Sequence, residues 1–256
     1  MIDQSEKCKV LVTLHAEPNA WIIPNPWDVG SAKDLEKLGF KAIATSSAAF
    51  AYTLGRDDGE VTLEEKLAHC EAISNNTTIP LSVDFEDGFS NEPAEVAKNI
   101  QRLAETGVAG CSIEDFSRQE SRVFDFNHAV ERIQAAVEAI ADLNIQFQLM
   151  ARAENLLRKH ADLDDTIKRL QAFAEAGAHV LYAPGLSSVE QIKLVADNTN
   201  RPLNVLAPFL PGISVQALSD AGATRISLGG VLQQYSRSKF ISATKEMMSS
   251  GQANVQ

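Results

Sequence analysis

The stretch at residues 79–89, IPLSVDFEDGF, runs from the apolar segment Ile79–Val83 straight into three carboxylates within four positions, Asp84, Glu86 and Asp87. A strand covered on both faces reads as a near-continuous apolar run, and such a run does not ordinarily end in so much negative charge. Either a cation sits among these acids, or they cap helices and pair with Lys or Arg at a rim.

Outward from this stretch the chain repeats one unit: a short apolar or β-branched run, a polar loop, then a segment with helical periodicity. The strand candidates are 20–23, 41–46, 79–84, 109–115, 147–152, 179–184, 202–207 and 224–229. Helix candidates lie near 29–38, 62–75, 93–106, 127–142, 164–176, 187–197 and 214–221, with a last one over 231–249. Gly closes several helices just before the next strand, as in EKLGF and AEAGAHV, because it tolerates the left-handed C-cap conformation. Strands that alternate with helices imply parallel pairing and right-handed crossovers. Eight such units in 256 residues predict a (β/α)8 TIM-type barrel. No linker interrupts the pattern, so residues 1–256 read as a single α/β-barrel domain, with 1–19 as an N-terminal leading helix and 250–256 as a loose tail.

The net charge of −11 and the absence of a Lys/Arg cluster exclude a nucleic-acid face. No run of about 18 apolar residues predicts a membrane span. The N-terminus lacks the charged-then-apolar layout of a signal peptide. The odd cysteine count, Cys8, Cys70 and Cys111, reads as reduced thiols. The expectation is a cytoplasmic protein with no membrane or nucleic-acid partner.

In a barrel the chemistry sits at the C-terminal ends of the strands. Three neighbouring strand ends deliver Asp84 and Glu86, then Glu114, then Arg152 to one mouth. The acids would repel one another unless something positive lies between them. Mg2+ suits such a set, because it takes oxygen ligands and is often held by a few carboxylates plus the substrate; rim pairing with Lys or Arg is the alternative. Asp87 and Asp115 are either supports or solvated. Arg152 suits bidentate capture of a carboxylate or phosphonate, and equally suits pairing with Glu114 or Asp84. Ser46 and Ser47 end the second strand, either as an anion cradle or as ordinary turn serines. The five histidines show no metal-ligand spacing.

Taken together, NPWDVGSAKDLEKLGFKAIATSS, LGRDDGEVTLEEKLAHCEAI, PLSVDFEDGF, AETGVAGCSIED, MARAEN, FAEAGAHVLYAPGL and PLNVLA resemble the isocitrate lyase/phosphoenolpyruvate mutase superfamily almost end to end. The resemblance implies Mg2+, with Mn2+ as a substitute, held by Asp84, Glu86 and Glu114. It implies an acid near the reacting substrate at Asp58, in LGRDDG. It implies an oxyanion turn at Ser46 and Ser47 and substrate contacts from Arg152 and Asn204. It further implies a small carboxylate or phosphonate substrate, and a C-terminal helix swapped onto a neighbour in a homodimer or homotetramer.

One departure bears on the reaction. The lyases of this superfamily carry a Cys-Gly-His loop after strand 4 whose Cys acts as acid and base. Here the loop reads DFSRQESRVFDFN, without thiol or Gly-His; only Arg118 or Glu120 could reach inward. The expectation is therefore a Mg2+-dependent, lyase-type cleavage of a C–C bond in a small oxaloacetate-like 2-oxo acid, through an enolate. The alternatives are a phosphoenolpyruvate phosphonomutase or phosphonopyruvate hydrolase acting on a P–C bond, and a non-catalytic metabolite-binding barrel.

Overall fold

Each apolar run is a parallel strand in the computed structural model of the protein, which describes residues 3–160 and 162–253. Residues 254–256 of the expected tail, and 1–2 of the leading segment, lie outside the described residues.

The barrel strands are β1 (Trp21–Ile23), β2 (Ile43–Ala44), β3 (Leu81–Asp84), β4 (Gly110–Glu114), β7 (Gln148–Arg152), β8 (Val180–Tyr182), β9 (Leu203–Leu206) and β10 (Arg225–Ser227). A short antiparallel hairpin, β5 (Phe116–Ser117) and β6 (Arg122–Val123), follows β4. The helices are α1 (Gln4–His15), α2 (Val29–Lys37), α3 (Ser47–Thr53), α4 (Leu63–Asn76), α5 (Pro93–Glu105), α6 (Phe126–Ala141), α7 (Leu163–Glu175), α8 (Val189–Asp197), α9 (Val215–Asp220) and α10 (Val231–Ser250). The sheet order is β1-β10-β9-β8-β7-β4-β3-β2, and the Ala44 N–H donates to the Pro24 carbonyl at 3.0 Å to close the ring between β2 and β1. The expected (β/α)8 barrel is present.

The strands are shorter than the apolar runs that announced them, and two of the connections that follow strands hold structure. Residues 47–61 open with α3, whose first turn is capped by the Ser46 hydroxyl accepting the Ala49 N–H. Seven residues are too few to show a helical period. Residues 116–126 contain the hairpin, whose turn places Ser121 at φ 52.

The two faces of the sheet differ. Outward residues such as Leu81, Val83, Ile113, Leu149, Leu181 and Val205 pack against Val96, Ile100, Leu103, Ile133, Leu170 and Phe173 of the helices, all buried. This ring is the main hydrophobic core, where each buried large side chain contributes roughly 1.5–3 kcal/mol. Inward residues are more often polar or small, as Ser82, Gly110, Ser112, Asn204, Arg225 and Ser227, with a small apolar cluster of Met150, Val180, Tyr182 and Leu206 among them. Cys8, Cys70 and Cys111 are free and buried. Among the described residues no helix is long and apolar enough to cross a membrane.

Candidate active site

β3 ends at Asp84, and the chain turns sharply through Glu86, Gly88 and Phe89, all at positive φ. Glu86, at φ 55, holds a left-handed conformation that a non-glycine residue adopts at a cost of about 1–3 kcal/mol. That turn aims a buried glutamate back toward the neighbouring strand. Its carbonyl accepts the Glu114 N–H at 2.8 Å, and Arg132, buried beneath, donates to the Glu114 and Asp87 carbonyls.

Asp84, Glu86 and Glu114 share one mouth of the barrel, and cations stand between them. Arg152 Nη1 lies 2.9 Å from Asp84 Oδ1 and 3.3 Å from Glu114 Oε1, while its Nε donates to Glu154 Oε1 at 2.8 Å. Arg118 reaches in from the hairpin: Nη1 is 3.1 Å from Glu86 Oε2 and 3.6 Å from Asp58 Oδ1, and Nη2 is 3.2 Å from Glu114 Oε1. Lys66, fully buried on α4, lies 3.4 Å from Glu86 Oε1, and Arg158 pairs with Glu114 Oε2 at 3.2 Å. Rim pairing, the alternative to a metal, is thus part of what the site contains.

The Arg118 head is held by its surroundings. Its backbone N–H donates to the Asp87 carboxylate at 3.1 Å. Gly59, at a φ of 92 that favours glycine, packs against the guanidinium: a Cβ there would stand 2.6 Å from Arg118 Nη1 and push it aside. Glu120 turns the other way, to Arg122 and Asn91. Asp87 and Asp115 are buried supports: Asp115 accepts the Glu154 N–H at 2.7 Å and pairs with Arg169 at 3.0 Å.

Burial alone would raise the Asp84 carboxyl; Arg152, then Lys66 and the Ser47 N–H, outweigh it and hold Asp84 at about 2. Burial dominates at Glu86 and pushes it up to about 7 against Lys66 and Arg118. Burial likewise raises Glu154, against Arg152.

Do these residues fit Mg2+? The donors are all carboxylate oxygens, the kind Mg2+ takes, and the buried Glu86 Oε1 has no hydrogen-bond partner. Among the described residues no three such side chains converge closely enough to hold a metal as they stand, because Arg118 lies between Glu86 and Glu114. Formally, five acids (Asp58, Asp84, Glu86, Glu114 and Glu154) face four cations (Lys66, Arg118, Arg152 and Arg158). The set fits Mg2+ in the kind of its donors once Arg118 has moved.

Beside the cluster lies a cavity of about 160 Å³, walled by Ser46, Ser47, Asp58, Asp84, Arg152 and Tyr182, among others. The Ser47 N–H is engaged by Asp84 Oδ2 at 2.9 Å. Asn204 is buried below the cavity, donating to Ser227 Oγ at 3.0 Å, and is not on its wall. Lys66, Glu154, Arg158 and Arg225 were missed from the sequence. Two of them left a signal. Lys66 sits at helical spacing with Cys70 and Ile73 on the buried face of α4, and Arg225 alternates with Ile226 in a strand covered on both sides.

Comparison with known proteins accords with this geometry. The protein solved from Burkholderia cenocepacia J2315 as a candidate lyase/mutase superposes with a TM-score of 0.94 at 39% identity, covering 99% of this chain and 93% of that one. The 2-methylisocitrate lyase of Escherichia coli (strain K12) is 31% identical over 177 residues, 66% of this chain and 58% of that protein. Phosphonopyruvate hydrolase, solved with oxalate and Mg2+, superposes with a TM-score of 0.87 over 96% of this chain and 88% of its own, and at 18% identity carries the fold alone. The family model described as phosphoenolpyruvate phosphomutase matches residues 11–248, and the chain belongs to that family, within the isocitrate lyase/phosphoenolpyruvate mutase superfamily of lyases and mutases.

Proposed function

We propose that this protein is a lyase-type enzyme that cleaves a C–C bond of a small, oxaloacetate-like 2-oxo acid, with Mg2+ held by Asp84, Glu86 and Glu114. The observation that carries the reading is the cavity beside the acid cluster: at about 160 Å³ it is well below the roughly 300–1,000 Å³ of sites for drug-sized ligands, so it suits an acid of few carbons. Mg2+, when bound, supplies positive charge to the oxo and carboxylate oxygens of the substrate.

The chain's own residues do the rest. Asp84 stays ionised at neutral pH, available as a ligand. Arg152 fixes Asp84 and Glu114 relative to each other. Tyr182, its phenol pushed up to about 12 by burial, remains a hydrogen-bond donor on the cavity wall. Asp58 lines the cavity and lies 3.6 Å from Arg118, at the mouth. In the reaction the bond to the departing carboxylate breaks, its electron pair stays on the adjacent carbon as an enolate, CO2 leaves, and the enolate later takes a proton from solvent.

The hairpin supports this choice of leaving group. A positioned acid contributes about 10²–10⁴-fold to a step that protonates a carbanion, and residues 116–127 hold no thiol and no histidine. CO2 needs no such acid on departure.

The protein is small-substrate specific in this reading and assembles as a homodimer or homotetramer through α10. An assay with Mg2+ that compares oxaloacetate, isocitrate, methylisocitrate and phosphonopyruvate tests it. Oxaloacetate should turn over and the two isocitrates should not. Robust turnover of either isocitrate refutes the loop argument, and turnover of phosphonopyruvate alone assigns the P–C reaction instead.

A further inference from the structure

Arg225 has the inverse situation to Arg152. Arg152 is surrounded by three carboxylates, Asp84, Glu114 and Glu154, so its charge is committed within the protein. Arg225 is only 3% exposed and makes no ion pair among the described residues; one Nη donates to Ser82 Oγ at a long 3.2 Å, and its Nε has no partner. Yet it lines the same cavity as Asp84 and Arg152.

Its position explains both facts. On β10 it pairs in register with Asn204 and Trp21, and it points inward with Ser227. To reach Ser82 on β3 it must cross the barrel interior. Ala44 and Ser112, both small, line the cavity with it. The guanidinium thus forms the floor of the cavity, with the acid cluster at the rim above. Burial draws its pKa down to about 10, and among neighbouring charges only the Tyr182 phenolate would oppose that.

A buried cation without a counter-ion is costly, and a guanidinium aimed into a cavity matches a carboxylate in bidentate geometry. We propose that Arg225 is an anion subsite at the cavity floor that takes one carboxylate of the substrate without help from a metal. This rests on the proposed 2-oxo acid reading and gives it an orientation: one carboxylate down on Arg225, the bond that breaks up toward Asp58 and Arg118. Specificity for a carboxylate at the buried end then resides in Arg225.

The test is calorimetry of the full-length protein with oxalate and with pyruvate, in EDTA and again with Mg2+, and with chloride as a competing small anion. Both acids should bind in EDTA. Arg225→Gln should weaken that binding at least tenfold, and Arg225→Lys should restore part of it. Ser82→Asp, which sets a carboxylate beside Arg225 as an internal counter-ion, should abolish binding with no fall in Tm, so the inference stays testable if Arg225→Gln does not fold. Chloride that competes only at concentrations far above the acids supports a carboxylate subsite; chloride that displaces them at equal concentration overturns it in favour of a halide site. Absence of binding in EDTA, or binding in EDTA unchanged in both variants, also overturns it. If binding then persists with Mg2+, the proposed function stands and only the subsite falls; if neither condition shows binding, both fall.

Discussion

Arg118 Nη1 lies 3.1 Å from Glu86 Oε2 while its Nη2 lies 3.2 Å from Glu114 Oε1, so one guanidinium bridges two of the three acids expected to hold Mg2+. A tethered cation and a free one then compete for the same oxygens. Arg118→Gln should tighten Mn2+ or Mg2+ binding by roughly tenfold, the equivalent of about 1.4 kcal/mol. In EDTA the same variant should lose stability, by roughly 3 kcal/mol, because two buried carboxylates lose a partner. Calorimetry and thermal melts read the two signs separately. Weaker metal binding in the variant would make Arg118 a support of the metal site and not its competitor.

Asp84 should behave oppositely. Asp84→Ala removes a ligand that Arg152, Lys66 and the Ser47 N–H keep ionised. Metal binding should be lost, and Arg152 should stay in place through Glu114 and Glu154. Unchanged Mn2+ affinity would sink the metal assignment.

The long C-terminal helix has little to pack on. Of the 20 residues of α10 only Gln233 is buried, while Tyr235, Phe240 and Met248 are 62%, 70% and 81% exposed. Apolar side chains set along one solvent-facing helix mark an interaction surface, and the swapped packing implied by the family likeness would cover them in an isologous contact. Light scattering of the full-length protein should give a dimer or tetramer, and truncation after Leu228 should dissociate or misfold it. A well-behaved full-length monomer contradicts this.

Stability should fall on the acid side. Burial, then Arg225 and His179, draw His15 down to about 3; burial, then Lys66, draw His69, stacked 3.7 Å over Phe50, down to about 4. Both folded values lie below the unfolded value of about 6.5, so the unfolded chain binds more protons between them. Their contribution is complete above pH 6.5 and is lost as pH falls toward 4 and 3. Each costs at most about 1.4 kcal/mol per pH unit in that window. His15→Gln and His69→Gln should flatten the fall in Tm between pH 6.5 and 4; an unaltered slope in both would place the acid lability elsewhere.

The strand ends explain how much of this was legible. A barrel turns position in sequence into position in space, so an acid after IPLSV and an Arg after FQLMA had to share one mouth, and Asp84, Glu86, Glu114 and Arg152 do. What the pattern did not reveal were the partners that arrive from elsewhere. Lys66 comes from the first turn of a helix, Arg118 from the turn of a hairpin too short to show alternation, and Arg158 from a loop. Family likeness supplied Asp58, which no periodicity singles out. The same likeness put Asn204 at the substrate; its amide N–H donates to Ser227 Oγ while its buried amide oxygen has no partner.

The polar lining of the barrel has a last consequence, for how such a protein changes over time. Leu81, Val83, Leu149, Leu181 and Val205 face the helices, and the hydrophobic free energy of the fold is held there. Ser82, Ser112, Asn204, Ser227 and Arg225 face the axis and bury little hydrocarbon, beside a smaller apolar cluster of Met150, Val180, Tyr182 and Leu206. The two sets alternate along the same strands, yet they store different things. Re-lining the axis can shift which acid is accepted while the outer ring goes on holding the chain folded, so new specificities here need little compensating repair.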